Sequence, residues 1–244
     1  MVQSKLASLS RGYSLPIERT SIYGTSSIGV FCYANDFFAL IPENAPSKFE
    51  RLMSEVLEVN VLRCKVCDSV IIGVFVAGNS KGLLLPRNIR DEEYELIKSL
   101  LKRDLVVEIL PSRNTAIGNL ILANDHAALV YEGFEKGVIK MIEDVLDVEV
   151  FKGRIAGFTV VGSVAVVTNK GLLVHPQTEQ EELNWLSELF KVENADVGTV
   201  NRGKPYIRAG LIVNSKGALV GDDTTGPELM HIETIFGLAG GRRE

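Results

Sequence analysis

The chain has 244 residues, is 46% hydrophobic and carries a formal net charge of -5. No apolar stretch approaches the roughly 18 residues of a membrane span, and the first residues lack the continuous apolar centre of a secretory signal, so we expect a cytoplasmic protein. An acidic chain is poorly suited to binding bare nucleic-acid phosphates through counterion release and is better matched to a basic protein surface.

Taken in chain order, residues 1–16 are rich in Ser and small side chains, which predicts a disordered extension. A short strand is expected near Ile17. Residues 29–34 and 37–41 predict two further strands, joined by a turn at Asn35. Because Asn and Asp tolerate the positive φ that tight turns require, these two strands are expected to form a hairpin.

The asparagine of this turn recurs along the whole chain, with spacings of 44, 45, 45 and 45 residues. Each copy lies between two apolar runs and predicts another hairpin. A period of this length is typical of repeat proteins, whose neighbouring units bury a shared core. The five copies are Asn35, Asn79, Asn124, Asn169 and Asn214.

An amphipathic helix is predicted after each hairpin, most clearly over residues 49–57 and 138–146, where apolar side chains recur every three or four residues. Capping boxes mark the beginning of two of these helices. Thr178 with Glu181 predicts the start of the fourth helix. Thr225 predicts the start of the fifth in the same way, because Glu228 follows three residues later.

A further short strand follows each of the first four helices, but no such strand follows the fifth, predicted over 228–236. Ile17 lies 18 residues before Asn35, which is the spacing of the other third strands, so the N-terminal strand completes the fifth unit. Joining the two ends removes exposed sheet edges. The other third strands are expected to begin near Val61, Val106, Phe151 and Asp196.

We therefore predict an α+β fold in which residues 17–237 form a single ring domain. Five strand-hairpin-helix units give a five-bladed pseudo-fivefold α/β propeller, and residues 238–244 form a C-terminal tail. Propellers of similar period use four strands per blade and no helix, and armadillo-type repeats use helices only. Neither architecture fits this mixed unit.

Few residues have the spacing of a catalytic or metal site. Cys64-x-x-Cys67 matches half a metal site or a redox pair, but there is no second pair, and we expect two small buried side chains with reduced thiols. Asp222 and Asp223 precede a predicted helix and are typical of turn residues rather than paired catalytic carboxylates. We predict no catalytic residue, no metal site and no cofactor. The histidines are scattered, at His126, His175 and His231.

One basic and aromatic cluster is distinct in this acidic chain. The loop that contains Asn201 and Arg202 has no Lys-Ser/Thr ending, so it is not a phosphate-binding loop, and we expect it to be exposed. Lys204, Tyr206 and Arg208 follow it closely. Such a group suits recognition of protein or RNA, and the alternative is a solvated loop without a partner.

The five units, together with residues 198–203, 210–214 and 222–225, resemble the translation initiation factor 6 family, and the resemblance covers about residues 17–237. The short C-terminus is similar to the archaeal branch. The resemblance implies the pentein fold and binding to the large ribosomal subunit, through a basic ribosomal protein surface and nearby rRNA. It also implies that joining of the small subunit is blocked sterically by a monomer, without a small-molecule substrate.

In this family the ribosome-facing surface is one rim of the ring, and it includes the residue after the Gly that opens each hairpin. Asn119, after Gly118, matches the family, whereas Val74 stands where eukaryotic relatives carry Arg. Val30 and Ser163 are the corresponding residues of two other units. The residues expected to contact the partner are Gly118, Asn119, Ser163, Asn201, Arg202, Lys204, Tyr206 and Arg208.

The pentein fold also includes hydrolases and amidinotransferases that act on guanidino groups, and a guanidino-modifying enzyme is the rival hypothesis. Those enzymes use a nucleophilic Cys late in the chain, with an upstream His and acidic partners. No cysteine follows Cys67 in this chain, so the expected nucleophile is missing.

Overall fold

The computed structural model describes residues 16–101 and 105–238. Except for Pro16 and Leu238, the predicted extension over 1–16 and the predicted tail over 238–244 lie outside the described residues, and both stay predictions. Within the described ranges the chain forms fifteen strands and ten helices. The strands are β1 (Ile17–Thr20), β2 (Tyr33–Ala34), β3 (Phe38–Pro42), β4 (Asn60–Cys64), β5 (Ala77–Gly78), β6 (Gly82–Pro86), β7 (Val106–Leu110), β8 (Ile121–Ala123), β9 (Ala127–Tyr131), β10 (Glu149–Gly153), β11 (Ala165–Val167), β12 (Gly171–Val174), β13 (Asn194–Val197), β14 (Leu211–Val213) and β15 (Ala218–Gly221). The helices are α1 (Ile28–Phe31), α2 (Ser47–Leu57), α3 (Ile72–Phe75), α4 (Asp91–Leu100), α5 (Ile117–Leu120), α6 (Lys136–Leu146), α7 (Val161–Val164), α8 (Gln180–Phe190), α9 (Ile207–Gly210) and α10 (Gly226–Ile235).

The chain repeats one unit five times: a one-turn helix, a hairpin, a long helix and a final strand. Units 1 to 4 run from α1 to β4, α3 to β7, α5 to β10 and α7 to β13. Unit 5 runs from α9 to α10 and takes β1 as its final strand. In each unit the final strand is parallel to the second hairpin strand, giving five three-stranded sheets.

The N-terminal strand closes the fifth sheet as the sequence predicts. Strand β1 is parallel to β15, with Ile17 opposite Ala218 and Thr20 opposite Gly221. The order of this sheet is β1, β15, β14, which is the order that β4, β3 and β2 have in unit 1. The prediction of five units completed by the N-terminal strand is therefore confirmed.

The beginning of each unit differs from the prediction. A strand is expected over residues 29–34, but Ile28–Phe31 form helix α1 and only Tyr33–Ala34 form a strand. The other four units begin with one-turn helices in the same way, at α3, α5, α7 and α9. The prediction is wrong because a four-residue apolar run fits a buried strand and a buried helical turn equally well.

The five one-turn helices contact one another in cyclic order: α1 with α3, α3 with α5, α5 with α7, α7 with α9, and α9 with α1. Glycine permits this approach. A Cβ on Gly29 would lie 1.9 Å from the backbone oxygen of Arg208, and a Cβ on Gly73 would lie 2.0 Å from that of Gly29. Closure of the five units around an axis therefore explains the recurring glycines.

The core is divided into five apolar clusters, and each contains side chains of two neighbouring units. In one cluster, Tyr33 and Leu40 of unit 1 pack with Leu83 and Ile97 of unit 2. No unit buries its apolar residues alone, so we expect the units to depend on their neighbours for stability.

The five long helices lie where the sequence predicts them. Helix α2, for example, buries Phe49, Met53, Val56 and Leu57, which share one face. The long helices have 10 or 11 residues, and none of the helices in the described ranges has the length and apolar character needed to cross a membrane.

One of the two predicted helix caps is confirmed. Thr225 is the N-cap of α10 and forms a capping box with Glu228. The N-cap of α8 is instead Glu179, so the prediction that Thr178 caps this helix is wrong. The Thr178 N–H donates to the His175 carbonyl in the turn before the helix, and its buried hydroxyl has no hydrogen-bond partner among the described residues.

Candidate functional site

The hairpin turns form one face of the protein, which we call the Asn-turn face (residues 35–37, 79–81, 124–126, 168–170 and 214–216). Asn79 shows its construction. The side-chain oxygen accepts hydrogen bonds from the N–H groups of Lys81 and Gly82, at 3.0 and 3.1 Å. The side-chain nitrogen donates to the carbonyls of Asn124 and Leu146 in unit 3, at 3.2 and 2.8 Å. One side chain thus closes its own turn and joins it to the next unit.

Three other asparagines repeat this arrangement. Asn35, Asn124 and Asn214 each accept two N–H groups of their own turn through the side-chain oxygen. Each also donates to the turn of the following unit, and Asn214 donates to the Asn35 carbonyl at 3.1 Å, which connects unit 5 to unit 1. The recurrence of asparagine is therefore structural, since an amide both accepts within the turn and donates across it.

In unit 4 Thr168 takes the accepting part of this role, and the prediction that Asn169 is the fourth equivalent is wrong. The Thr168 hydroxyl accepts the N–H groups of Lys170 and Gly171, at 3.1 and 3.2 Å. The Asn169 side chain is exposed and bonds to Asp125 of unit 3 instead. A hydroxyl can accept the same pair of bonds, and an adjacent asparagine conceals the one-residue shift in the sequence.

The one-turn helices and the turns that precede them form a second face, which we call the short-helix face. A cavity of about 210 Å³ on this face is lined by all five units. The third residue of each one-turn helix contributes to the lining and is half-buried. These residues are Val30, Val74, Asn119, Ser163 and Ala209, and the lining is completed by Gly29, Gly73, Tyr206 and Arg208.

The structure brings four of the eight predicted contact residues to this cavity: Asn119, Ser163, Tyr206 and Arg208. The Tyr206 side chain is 47% exposed, and its ring is edge-on to Phe158 of unit 4 with 6.3 Å between centroids. Asn119 belongs to the one-turn helix α5. Together these residues give the cavity a mixed polar and aromatic border.

The other predicted residues occupy different positions. Gly118 is buried at the contact between α3 and α5, where a Cβ would lie 2.2 Å from the Gly73 oxygen. Asn201 is also buried, and its side-chain nitrogen donates to the Ser26 carbonyl at 2.8 Å. Both residues hold units together. Arg202 and Lys204 are exposed on the turn that leads into α9.

Helix α10 holds this turn in place through Glu228. Its carboxylate accepts the N–H groups of Arg202 and Gly203, at 3.2 and 2.9 Å. Partial burial raises the pKa of the Glu228 carboxyl, but hydrogen bonds from Thr225, Gly203 and Thr199 outweigh burial and lower it to about 2. The carboxylate is therefore ionised at neutral pH and fixes the backbone that carries the exposed cations.

Two other units use the same device. Glu93 of α4 accepts the N–H groups of Cys67 and Asp68, and Glu182 of α8 accepts the N–H of Ala156. In each case an acidic residue in the first turn of a long helix holds the turn before a one-turn helix. These hydrogen bonds fix three of the turns of the short-helix face to the long helices.

Sequence reasoning missed Arg113 as a candidate. It is exposed on the turn that precedes α5, and it forms no ion pair with any described residue. It lies four residues before its one-turn helix begins, the position that Asp68 and Gly157 occupy in their units. Alignment of the units on the one-turn helices, rather than on the asparagines, identifies it.

The cysteines lack the properties of a nucleophile. All three are free, and Cys32 and Cys64 are buried. Burial raises the pKa of the Cys64 thiol to about 12 and that of Cys67 to about 11, and it raises the pKa of Cys32 as well. The thiols are therefore protonated at neutral pH. Within the described ranges no cluster of three or more His, Cys, Asp or Glu side chains has the arrangement of a metal site.

Comparison with known proteins gives a consistent result over the whole repeated body. The model of the eIF-6 family matches residues 17–235. "Translation initiation factor 6" of Pyrococcus abyssi is 47% identical over 225 residues, which cover 91% of this chain and 99% of the relative. The protein of the same name from Saccharolobus islandicus (strain L.S.2.15 / Lassen #1) is 43% identical over 222 residues, with the same coverage. That of Pyrobaculum arsenaticum is 44% identical over 216 residues, which cover 88% of this chain and 96% of the relative.

Proposed function

Since this chain belongs to the eIF-6 family, we propose that it is an initiation factor that binds the large ribosomal subunit and prevents the small subunit from joining. The short-helix face makes the contact. In this proposal the protein acts in the cytoplasm as a monomer, and it requires neither a cofactor nor a small-molecule substrate. The observation that carries the proposal is the family match over all five units.

The chemistry of the short-helix face supports its choice as the contact surface. Asn119 and Ser163 offer polar groups, while Val30 and Val74 offer apolar surface beside them. Tyr206 adds an exposed aromatic ring at the edge, and Tyr is enriched at the centres of protein interfaces. A concave surface with these groups suits a protruding element of a partner protein.

The distribution of charge supports two kinds of contact. Without the cationic extension and tail, the body over residues 17–237 carries a net charge of -8, which favours a basic ribosomal protein. On the short-helix face, Arg113, Arg202 and Lys204 are exposed and form no ion pair with described residues. These cations are available to nearby rRNA phosphates.

The proposed action is steric. A protein bound on the joining surface of the large subunit occupies space that the small subunit needs, so the two cannot bind together. Rigid turns reduce the entropy that is lost on binding, and Glu228 supplies this rigidity next to Arg202. No bond is made or broken in this scheme.

The test is sedimentation through a sucrose gradient with purified large and small subunits. We expect the protein to sediment with the large subunit and to decrease the amount of joined ribosomes. The double variant Arg202→Glu/Lys204→Glu should lose both effects. A matched control, Lys48→Glu/Arg51→Glu, makes the same change of charge on the exposed side of α2 and should keep both.

The possible outcomes test the proposed function and the proposed contact surface separately. If the wild-type protein neither sediments with large subunits nor reduces joining, the proposed function is wrong. If the wild-type protein does both and the two double variants behave alike, the function stands but the short-helix face is not the contact surface.

The rival hypothesis of a guanidino-modifying enzyme has no support from the thiols. Such an enzyme needs a thiolate, which requires a lowered pKa, whereas burial raises the pKa of each cysteine here. Turnover of arginine or a related guanidino compound, lost on substitution of Cys32, Cys64 or Cys67, would reverse this preference.

A further inference from the structure

Two aromatic side chains on the short-helix face depart from the repeat of the five units. Tyr206 is the N-cap residue of α9, and Phe158 closes the turn before α7 through a backbone bridge with Ile155. In the three other units with such a bridge, the residue equivalent to Phe158 is polar. The residues equivalent to Tyr206 carry no aromatic ring. The equivalents of Phe158 are Thr25, Ser69 and Lys204, and those of Tyr206 are Ser27, Ile71, Ala116 and Val160.

The Phe158 ring contacts one buried ring and one exposed ring. Its centroid lies 4.8 Å from that of His175 and 6.3 Å from that of Tyr206. His175 is 3% exposed, Phe158 is half-buried and Tyr206 is 47% exposed. Tilted and edge-on ring pairs at these separations are favourable, because the positive edge of one ring approaches the negative face of the other. The three rings therefore connect the interior of unit 4 with the surface of unit 5.

Phe158 is fixed by its own unit. Its N–H donates to the Ile155 carbonyl at 2.8 Å, and its carbonyl accepts the Ile155 N–H at 3.1 Å. In the same turn, Glu182 of α8 accepts the Ala156 N–H. The Phe158 side chain packs against the apolar cluster that units 3 and 4 share. The position of Phe158 is therefore set by contacts that do not involve Tyr206.

His175 gives the Phe158 ring an uncharged neighbour. The His175 Nδ1 accepts the Gln177 N–H at 3.2 Å, so this nitrogen carries no proton. Burial lowers the pKa of His175, and the imidazole is consequently neutral at neutral pH. A neutral ring packs against Phe158 without the cost of removing a charge from water.

Tyr206 depends more on its neighbour, because almost half of its side chain is exposed. An exposed side chain loses rotamer freedom when a partner binds it, and this loss reduces the affinity. A neighbouring ring that already favours one orientation makes the loss smaller. The edge-on contact with Phe158 supplies such a neighbour to Tyr206.

We propose that Phe158 is a positioning residue for binding of the large ribosomal subunit: it holds the Tyr206 ring in the orientation that the subunit contacts. This inference rests on the proposed function. In this scheme the effect of Phe158 on binding passes through Tyr206. Substitutions of the two residues should therefore not be additive.

The first test uses NMR of the free protein. Phe158→Leu keeps an apolar side chain against the core and removes the ring. The couplings between the Hα and Hβ protons of Tyr206 should show one χ1 rotamer in the wild-type protein and an average over several in the variant. Phe151→Leu is the control, because Phe151 is also half-buried and packs against the same apolar cluster; it should leave these couplings unchanged. Identical couplings in the wild-type protein and Phe158→Leu would contradict the proposal.

The second test is a double-mutant cycle of affinity for purified large subunits. Phe158→Leu should weaken binding about threefold in the wild-type protein, and it should have no further effect when Tyr206 is already alanine. Phe151→Leu should change neither affinity. Additive losses for Phe158→Leu and Tyr206→Ala, or no loss for Phe158→Leu alone, would overturn the proposal while the proposed function stands. A wild-type protein that does not bind large subunits contradicts the proposed function, and with it this role of Phe158.

Discussion

The Asn-turn face and the short-helix face are built from the same five units, yet they keep the repeat to different degrees. On the Asn-turn face, four turns use asparagine with the same hydrogen bonds, and the fifth uses Thr168. On the short-helix face, the third residue of the one-turn helix is valine in units 1 and 2, asparagine in unit 3, serine in unit 4 and alanine in unit 5. Its border carries Tyr206 on one side only.

This difference separates structural residues from candidate functional ones. Residues that join one unit to the next are subject to the same geometry five times, so they remain alike. Residues that contact an asymmetric partner have no reason to repeat. We therefore expect substitutions on the Asn-turn face to reduce stability, and those on the short-helix face to reduce binding.

The largest effect is expected where the one-turn helices contact one another. In Gly29→Ala the new Cβ would lie 1.9 Å from the Arg208 oxygen, so the cyclic contact has to open. We expect a loss of about 3 kcal/mol or more in the free energy of unfolding, measured with urea. Gly137→Ala is the control, because no atom lies within 4 Å of its Cβ; its stability should stay unchanged or rise by up to about 1 kcal/mol. Equal effects in the two variants would contradict the account.

The next prediction tests which residue of unit 4 is equivalent to the asparagines of the other turns. Asn79→Ala removes two acceptor and two donor bonds of a buried amide, and we expect a loss of about 3 kcal/mol on urea unfolding. Asn169→Ala removes an exposed side chain and should cost less than about 1 kcal/mol. If Asn169→Ala is as damaging as Asn79→Ala, Thr168 is not the fourth structural equivalent.

A smaller effect is expected for Tyr206→Ala on the short-helix face. The ring is 47% exposed, so urea unfolding should change little, while affinity for large subunits should fall about tenfold. Met230→Ala, which removes a 70% exposed side chain from α10, should leave the affinity unchanged. A loss of stability without a loss of affinity would show that Tyr206 stabilises the fold and does not contact the large subunit.

The smallest effect concerns the support of the turn that carries Arg202. The folded pKa of Glu228 is about 2 and its ordinary value is 4.5, so its contribution to stability is present above pH 4.5 and is lost as pH falls toward 2. Glu228→Gln lacks this contribution. The difference in unfolding free energy between wild type and variant should therefore be constant near neutral pH and shrink between pH 4.5 and 2. A difference that does not change with pH would show that the charge of Glu228 is unimportant.

Much of the fold can be predicted from the sequence, because both the spacing of the asparagines and the helical spacing of the apolar residues are regular. The spacing of the asparagines predicts five units, and the position of Ile17 predicts closure by β1. The one-turn helices do not follow, since a four-residue apolar run fits two conformations. The role of Thr168 could not be predicted either, because a hydroxyl and an amide can accept the same hydrogen bonds in a turn.

The candidate site follows from the sequence only in part. Tyr206 and Asn119 line the cavity of the short-helix face, and their contact with a partner stays a prediction. Asn201 is buried and does not belong to that surface. Arg113 is not found because its turn lacks an aromatic or a repeated landmark. Arg208 donates a hydrogen bond to the Val76 carbonyl of unit 2 at 3.4 Å, and no local pattern encodes such a contact between distant units.

The most direct measurement is hydroxyl-radical footprinting of the protein alone and bound to purified large subunits, with oxidation of each side chain quantified by mass spectrometry. Three exposed side chains report on three surfaces: Tyr206 on the short-helix face, Phe37 on the Asn-turn face, and Met230 on α10. We expect large subunits to protect Tyr206 and to leave Phe37 and Met230 unchanged. Protection of Phe37 with continued oxidation of Tyr206 would contradict the assignment of the short-helix face.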